Sequence, residues 1–177
     1  KNGAGIMTIM NSNFGGYEGT TTVNGGILNI RNALSLGQGT NVDSNSSTVN
    51  GTGTTNIDGT TVGTGASNGS LQLQHATGMT VADEKLTLNG MGYLNNGALR
   101  SISGNNTWTG DLVLGSASRI QSDTVGHTLT LSSGTVTGTG FDLDVRGDGD
   151  TTISAVLSST GLLTKKGAGP LTLNSSG

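Results

Sequence analysis

Cysteine is absent from this chain of 177 residues, which removes disulfides and thiolate metal sites from consideration. Proline occurs once and aromatic residues make up only 3 %, too few large side chains for the dense two-sheet core of an antiparallel sandwich. Charged residues are 11 %, with eight basic side chains and a net charge of −3. That is less than half the usual charged content of about 25 %, and it leaves no basic patch for nucleic acid. Apolar runs never exceed two or three residues, so no helix within the chain crosses a membrane. No initiator Met, charged leader or apolar leader segment is present either.

What the chain has in quantity is glycine, 32 residues, together with Thr, Ser, Asn and short aliphatic alternations. Disordered chains of similar polarity carry high net charge and few β-branched residues. Here the charge is low and Thr, Val, Ile and Leu recur throughout, so ordered β-structure is expected.

The strand candidates are Ile6–Met10, Thr20–Asn24, Ile27–Ile30, Thr54–Asp58, Leu71–Gln74, Met79–Val81 and Leu86–Asn89. The second half adds Ala98–Ile102, Leu112–Leu114, Arg119–Ser122, Thr128–Ser132, Thr135–Thr137, Phe141–Val145, Thr151–Val156 and Leu171–Asn174. Each alternates apolar and polar residues with period two, and Gly, Asn, Asp or Ser fills nearly every gap. No window shows helical spacing beyond Ala33–Leu36, which Gly37 and Gly39 end. The chain reads as all-β.

A β-solenoid is the architecture that tolerates so few large side chains. Each rung buries only a narrow aliphatic strip against its neighbours, at a spacing of about 4.8 Å. Thr, Asn, Ser and Gln on the outer face form ladders between rungs, while Gly and Asn supply the tight corners. The expected fold is a right-handed parallel β-helix, the usual hand for parallel crossovers. Rungs of roughly 20–25 residues predict seven to eight rungs. Thr40–Gly69 is poor in apolar residues and reads either as a loop flap or as rungs with a Val/Thr core. Alternation in Thr54–Asp58 and Thr60–Val62 favours rungs. Leu86, Leu88, Leu112, Leu114, Leu129, Leu131, Leu171 and Leu173 are expected inward, with Thr87, Thr130 and Thr172 outward.

The chain repeats itself. Lys165–Gly177 aligned on Lys1–Asn13 gives six identities in thirteen positions, at an offset of 164 residues. Residues 1–177 therefore read as a single solenoid segment, one period (1–164) plus the start of the next (165–177). Neither end offers a capping element, so continuation of the repeat, in sequence or by end-to-end stacking of copies, is expected.

Leu163-Thr164-Lys165-Lys166-Gly167-Ala168-Gly169-Pro170-Leu171-Thr172-Leu173, together with Tyr17, Gly19, Thr21, Val23, Gly26 and Leu28, resembles the autotransporter-associated β-strand repeat. Leu86–Gly110, through Asn95–Arg100 and Gly104–Gly110, looks like its long form. Pro170 departs from the pattern and removes one ladder donor. The resemblance implies a secreted or surface-displayed passenger, stalk or fibre of bacterial origin.

Asp142, Asp144, Asp148 and Asp150 form the closest carboxylate set, yet alternation in Phe141–Val145 turns the first two outward, as on a solvated face. Their spacing does not match a calcium-binding nonapeptide. His75 and His127 lack the spacing of a metal pair. Arg146-Gly147-Asp148 spells a tripeptide some animal integrins recognise, but it sits in an ordinary glycine turn. Trp108 either packs over the aliphatic strip or stacks on a sugar. The sequons at Asn45, Asn50, Asn68, Asn105 and Asn174 are common by chance in such a composition, and the outward hydroxyls equally suit O-glycans.

No catalytic, cofactor-binding or metal residue is therefore assigned, and no cofactor is expected. The expected role is a non-catalytic structural segment of an extracellular fibre, filament or cell-surface stalk. Its partners are copies of itself and surface glycans, without nucleic acid. Two alternatives stay open: an adhesin binding glycans or host protein through a lateral face, and a carbohydrate-active β-helix enzyme. The enzyme requires three or more carboxylate or basic side chains converging on one groove.

Overall fold

The computed structural model describes residues 1–13, 20–37, 60–62, 69–82, 84–132, 134–158 and 160–174. Every strand pairing among them is parallel. The strands stack into three faces around one core. The first face runs Ile6–Ile9, Gly26–Ile30, Gly69–Gln74, Leu99–Ser103, the second half of Leu112–Ser122, Leu143–Arg146 and Leu163–Lys165. The second runs Thr21–Val23, Thr60–Val62, Leu86–Gly90, the first half of Leu112–Ser122, Thr135–Thr137 and Val156–Ser158. The third runs Thr80–Val81, Asn106–Trp108, Thr128–Leu131, Asp150–Ile153 and Leu171–Leu173. From residue 60 onward the chain visits second, first and third face in strict rotation. This is the expected β-solenoid.

Successive strands of the first face make about six turns, not seven or eight. Most steps are short, such as 21 residues from Leu99 to Ile120 and 20 from Val145 to Lys165. One step is 43 residues, because Leu28 pairs directly with Leu71. The polar stretch is therefore spanned by a single first-face step. Within it, Thr60–Val62 is a strand, while Thr54–Asp58 lies outside the described residues. At about 4.8 Å per step the coil rises roughly 29 Å.

The core is a set of aliphatic columns. Leu28, Leu71, Leu99, Ile120 and Val145 are in register down the first face, and all are buried. Val23, Val62, Leu88 and Leu114 do the same on the second. Val81, Trp108, Leu131 and Ile153 line the third. Six of the eight leucines expected inward are buried, while Thr87 and Thr130 sit half-exposed on the outside. Leu171 is half-buried and Leu173 is 49 % exposed, since on the described chain no further rung covers their open side. Trp108 is 0 % exposed. It packs in the core, and sugar stacking on it is ruled out.

The two copies of the repeated motif adopt one local structure. Lys1 Nζ donates to the carbonyls of Asn2 and Gly3, and Lys165 Nζ to those of Lys166 and Gly167. Their positions on the coil differ. Ile6–Ile9 follows the first copy onto the first face, while Leu171–Leu173 follows the second onto the third face. After 164 residues the pattern returns one face further round.

Candidate functional site: a polar ladder on one lateral face

Outward residues of the first face fall into columns because each strand is parallel and in register with the next. The central column is Asn29, Gln72, Arg100, Gln121 and Arg146. Lys166 follows: its backbone N–H donates to the Val145 carbonyl, so it continues the column just past Arg146. Five of these six are side chains long enough to lie across the pleat, and all carry donors. Asn29 Nδ2 donates to Gln72 Oε1 at 3.2 Å and to Gln74 Oε1 at 3.1 Å. Arg31 Nε donates to Asn29 Oδ1 at 3.1 Å.

Further along, the amide ladder gives way to charge. Arg100 meets Asp123 through Nε, at 2.8 and 3.1 Å, and through Nη2 at 2.6 Å. Gln121 Nε2 donates to the same carboxylate at 2.9 Å. One rung on, Asp144 Oδ2 accepts from Arg119 Nε at 3.0 Å, from Arg119 Nη2 at 2.8 Å and from Arg146 Nε at 2.9 Å. Arg119 also caps the Asn95 carbonyl through Nη1. The other carboxylate oxygen of Asp144 is buried without a partner. The Arg119 side chain is only 9 % exposed, so this pair stands in a lower dielectric than the rim pair of Arg100 and Asp123.

Beside these pairs lies an open groove of about 390 Å³, lined by Gln121, Asp123, Arg146, Asp148 and Lys166. Its floor is Gly147 and Gly167. Gly147 needs φ of +115°, and a side chain there would run into the Ser122 carbonyl of the preceding rung, so no other residue fits. Gly167 stacks over Gly147 in the same way.

The residues weighed from sequence separate into two groups. Asp142 and Asp144 do point outward, but only Asp144 joins the ion-pair cluster. Asp142 accepts the Leu162 N–H at 2.8 Å, Asp148 accepts the Ala168 N–H at 3.4 Å, and Asp111 accepts from Thr135 N at 2.8 Å. These aspartates sit at three different corners, and each bonds the next rung. His75 and His127 both lie at turns between the first and third faces, as Asp148 does. His127 Nδ1 accepts the Gly104 N–H at 3.0 Å, and Gly104 in turn sits against the His75 carbonyl. Arg146 of the Arg-Gly-Asp triplet is tethered to Asp144 and is not on a free loop. Of the sequon asparagines, Asn105 and Asn174 are exposed, whereas Asn45, Asn50 and Asn68 lie outside the described residues, as do Tyr17 and Gly19. Among the described residues, no three His, Asp or Glu side chains gather as a metal site.

Sequence reasoning missed Arg100, Arg119 and Asp123, together with the inward Asn106. Asn106 is 0 % exposed, and its amide donates to Ser101 Oγ and the Ser103 carbonyl while its oxygen accepts the Met79 N–H. No family model, curated protein or solved structure matches this chain.

Proposed function

We propose that this chain is a structural segment of an extracellular β-helical fibre, filament or bacterial cell-surface stalk, coiled right-handed as parallel crossovers usually are. The observation that carries this reading is where the polar groups are used. Carboxylates and amides at the corners, in Asp111, Asp142, Asn105 and Asn106, accept backbone N–H groups of neighbouring rungs. The core is a set of mainly aliphatic columns, interrupted on the third face by Trp108 and the hydrogen-bonded Asn106. Such a chain is stabilised rung by rung through nearest-neighbour contacts, which suits a rod of adjustable length.

The groove beside Arg146 gathers the several charged groups that a carbohydrate-active enzyme requires. Of its two carboxylates, Asp123 is engaged by Arg100 and Gln121 and Asp148 accepts the Ala168 N–H, so we read the groove as a binding surface.

The repeat supplies the test. Two copies of residues 1–164 joined in frame should form one rod of about twice the rise, visible by negative-stain electron microscopy. Because the motif returns one face round, the arginine-bearing surface should turn by one face per copy. Two separate particles, or a rod that does not lengthen, would overturn the structural reading.

A further inference from the structure

We propose that the outer side of the first face binds an extended, sparsely charged acidic polysaccharide, a chain of uronate-type sugars, laid along the coil axis. The proposal deepens the lateral-face reading above and needs only that the solenoid fold.

The first ground is segregation. The chain contains four arginines, Arg31, Arg100, Arg119 and Arg146. All four lie on this one face, within or directly after its strands. On a chain of net charge −3, that places cationic donors where the rest of the surface does not. Asn29 and Gln72 of the central column are buried, but Arg100, Gln121, Arg146 and Lys166 are accessible and recur at the rung spacing of about 4.8 Å, which presents an axial polymer with regularly placed contacts.

The second ground is which donors are left over. Lys1 and Lys165 fold their ammonium groups back onto backbone carbonyls. The Lys166 ammonium, one residue along, has no partner among the described residues. Arg146 is oriented by its Nε bond to Asp144, and among the described residues neither of its terminal nitrogens has a partner. That guanidinium is a pre-aimed fork, the geometry that grips a carboxylate through two parallel bonds. Both cations line the groove of about 390 Å³, whose glycine floor admits a ligand close to the backbone.

The third ground is the mixture of signs. Asp123 and Asp148 stand in the same groove as acceptors for hydroxyl groups. A densely charged polyanion such as nucleic acid would be repelled by them, and it gains its affinity from phosphate neutralisation. Among the described residues, the strands of this face carry no aromatic side chain as a platform for bases, and Trp108 is in the core. A hydroxyl-rich chain carrying one carboxylate every residue or two meets both kinds of partner.

The test is isothermal titration of the native chain with oligogalacturonate, with neutral dextran of equal length, and with oligothymidylate. Oligogalacturonate should bind and weaken steadily as salt rises, dextran and oligothymidylate should bind at least tenfold more weakly. The double variant Arg146→Gln/Lys166→Gln should lose on the order of tenfold in affinity with a flatter salt dependence. Lys85→Gln, outside this face, should match the native chain. Far-UV circular dichroism melts confirm that each variant stays folded; Asp144 keeps Arg119 in the double variant, so its melt should match that of the native chain. Absence of binding, equal binding of dextran, tighter binding of oligothymidylate, or equal losses in Lys85→Gln and the double variant would each overturn the proposal. None of these outcomes touches rod formation, which microscopy reads separately.

Discussion

Replacing Leu131 by Asp tests the register of the whole stack at its most sensitive point. Leu131 is 2 % exposed and sits in register between Trp108 on one rung and Ile153 on the next. Truncating a leucine in such a place costs about 2–5 kcal/mol, through lost burial and an unfilled cavity. A carboxylate adds a further penalty of several kcal/mol, since it would be buried between the indole of Trp108 and the side chain of Ile153 with no basic partner in register. The sum is comparable with the about 5–15 kcal/mol that holds an ordinary domain together. Thr130, the preceding residue, faces outward between Thr107 and Thr152, and Thr130→Asp should cost about 1 kcal/mol or less. Urea titrations followed by far-UV circular dichroism compare the two. Fluorescence adds a local reading, because Trp108 is the only tryptophan and touches the mutated rung directly. Equal midpoints for the two variants, or a native midpoint for Leu131→Asp, would refute the inward assignment of this column.

Three more outcomes are expected. Asp144→Asn should cost about 3 kcal/mol, because it strands the buried Arg119 guanidinium, whereas Asp123→Asn breaks a more exposed pair and should cost under about 1 kcal/mol; urea midpoints distinguish them, and equal losses would contradict the difference in burial. Gly147→Ala should destabilise by about 3 kcal/mol or more, since it combines a positive φ with collision against Ser122. Gly126→Ala has φ of +77° and open space around it, so it should cost only about 1 kcal/mol, and similar melting temperatures for the two would remove the stacking argument. Trp108→Phe discards an indole N–H that is buried without a partner, so relief of about 1–3 kcal/mol offsets the lost volume; calorimetry should find it within about 1 kcal/mol of the native chain, against a loss of about 4 kcal/mol for Trp108→Ala.

Much of the fold was legible from alternation because its cause is local. In Leu86-Thr87-Leu88 or Thr128–Leu131 the side-chain direction flips at each residue whatever the neighbours do, and the pattern names the buried side. Asn106–Trp108 escaped that reading because its inward residues are an asparagine and the lone tryptophan. The rung count ran high because a 43-residue turn has no signature in apolar spacing. Only the pairing of Leu28 with Leu71 reveals it.

The lateral site lay beyond sequence reasoning for a different reason. By itself the sequence determined that the chain is all-β, that each strand has one aliphatic side, and that the Lys1 motif recurs at Lys165. The recurrence has a counterpart in the structure: the lysine at each copy donates to the carbonyls of the next two residues. Tertiary structure alone decided which of three faces each strand joins. Turn lengths vary from 20 to 43 residues, so sequence separation does not convert into angle around the coil. Arg100 and Asp123, or Arg119 and Asp144, become partners only because the corners between them happen to close the same full turn. The same arithmetic sends the second copy of the motif one face round, since face identity is the sum of all the turns before it and no single segment carries it.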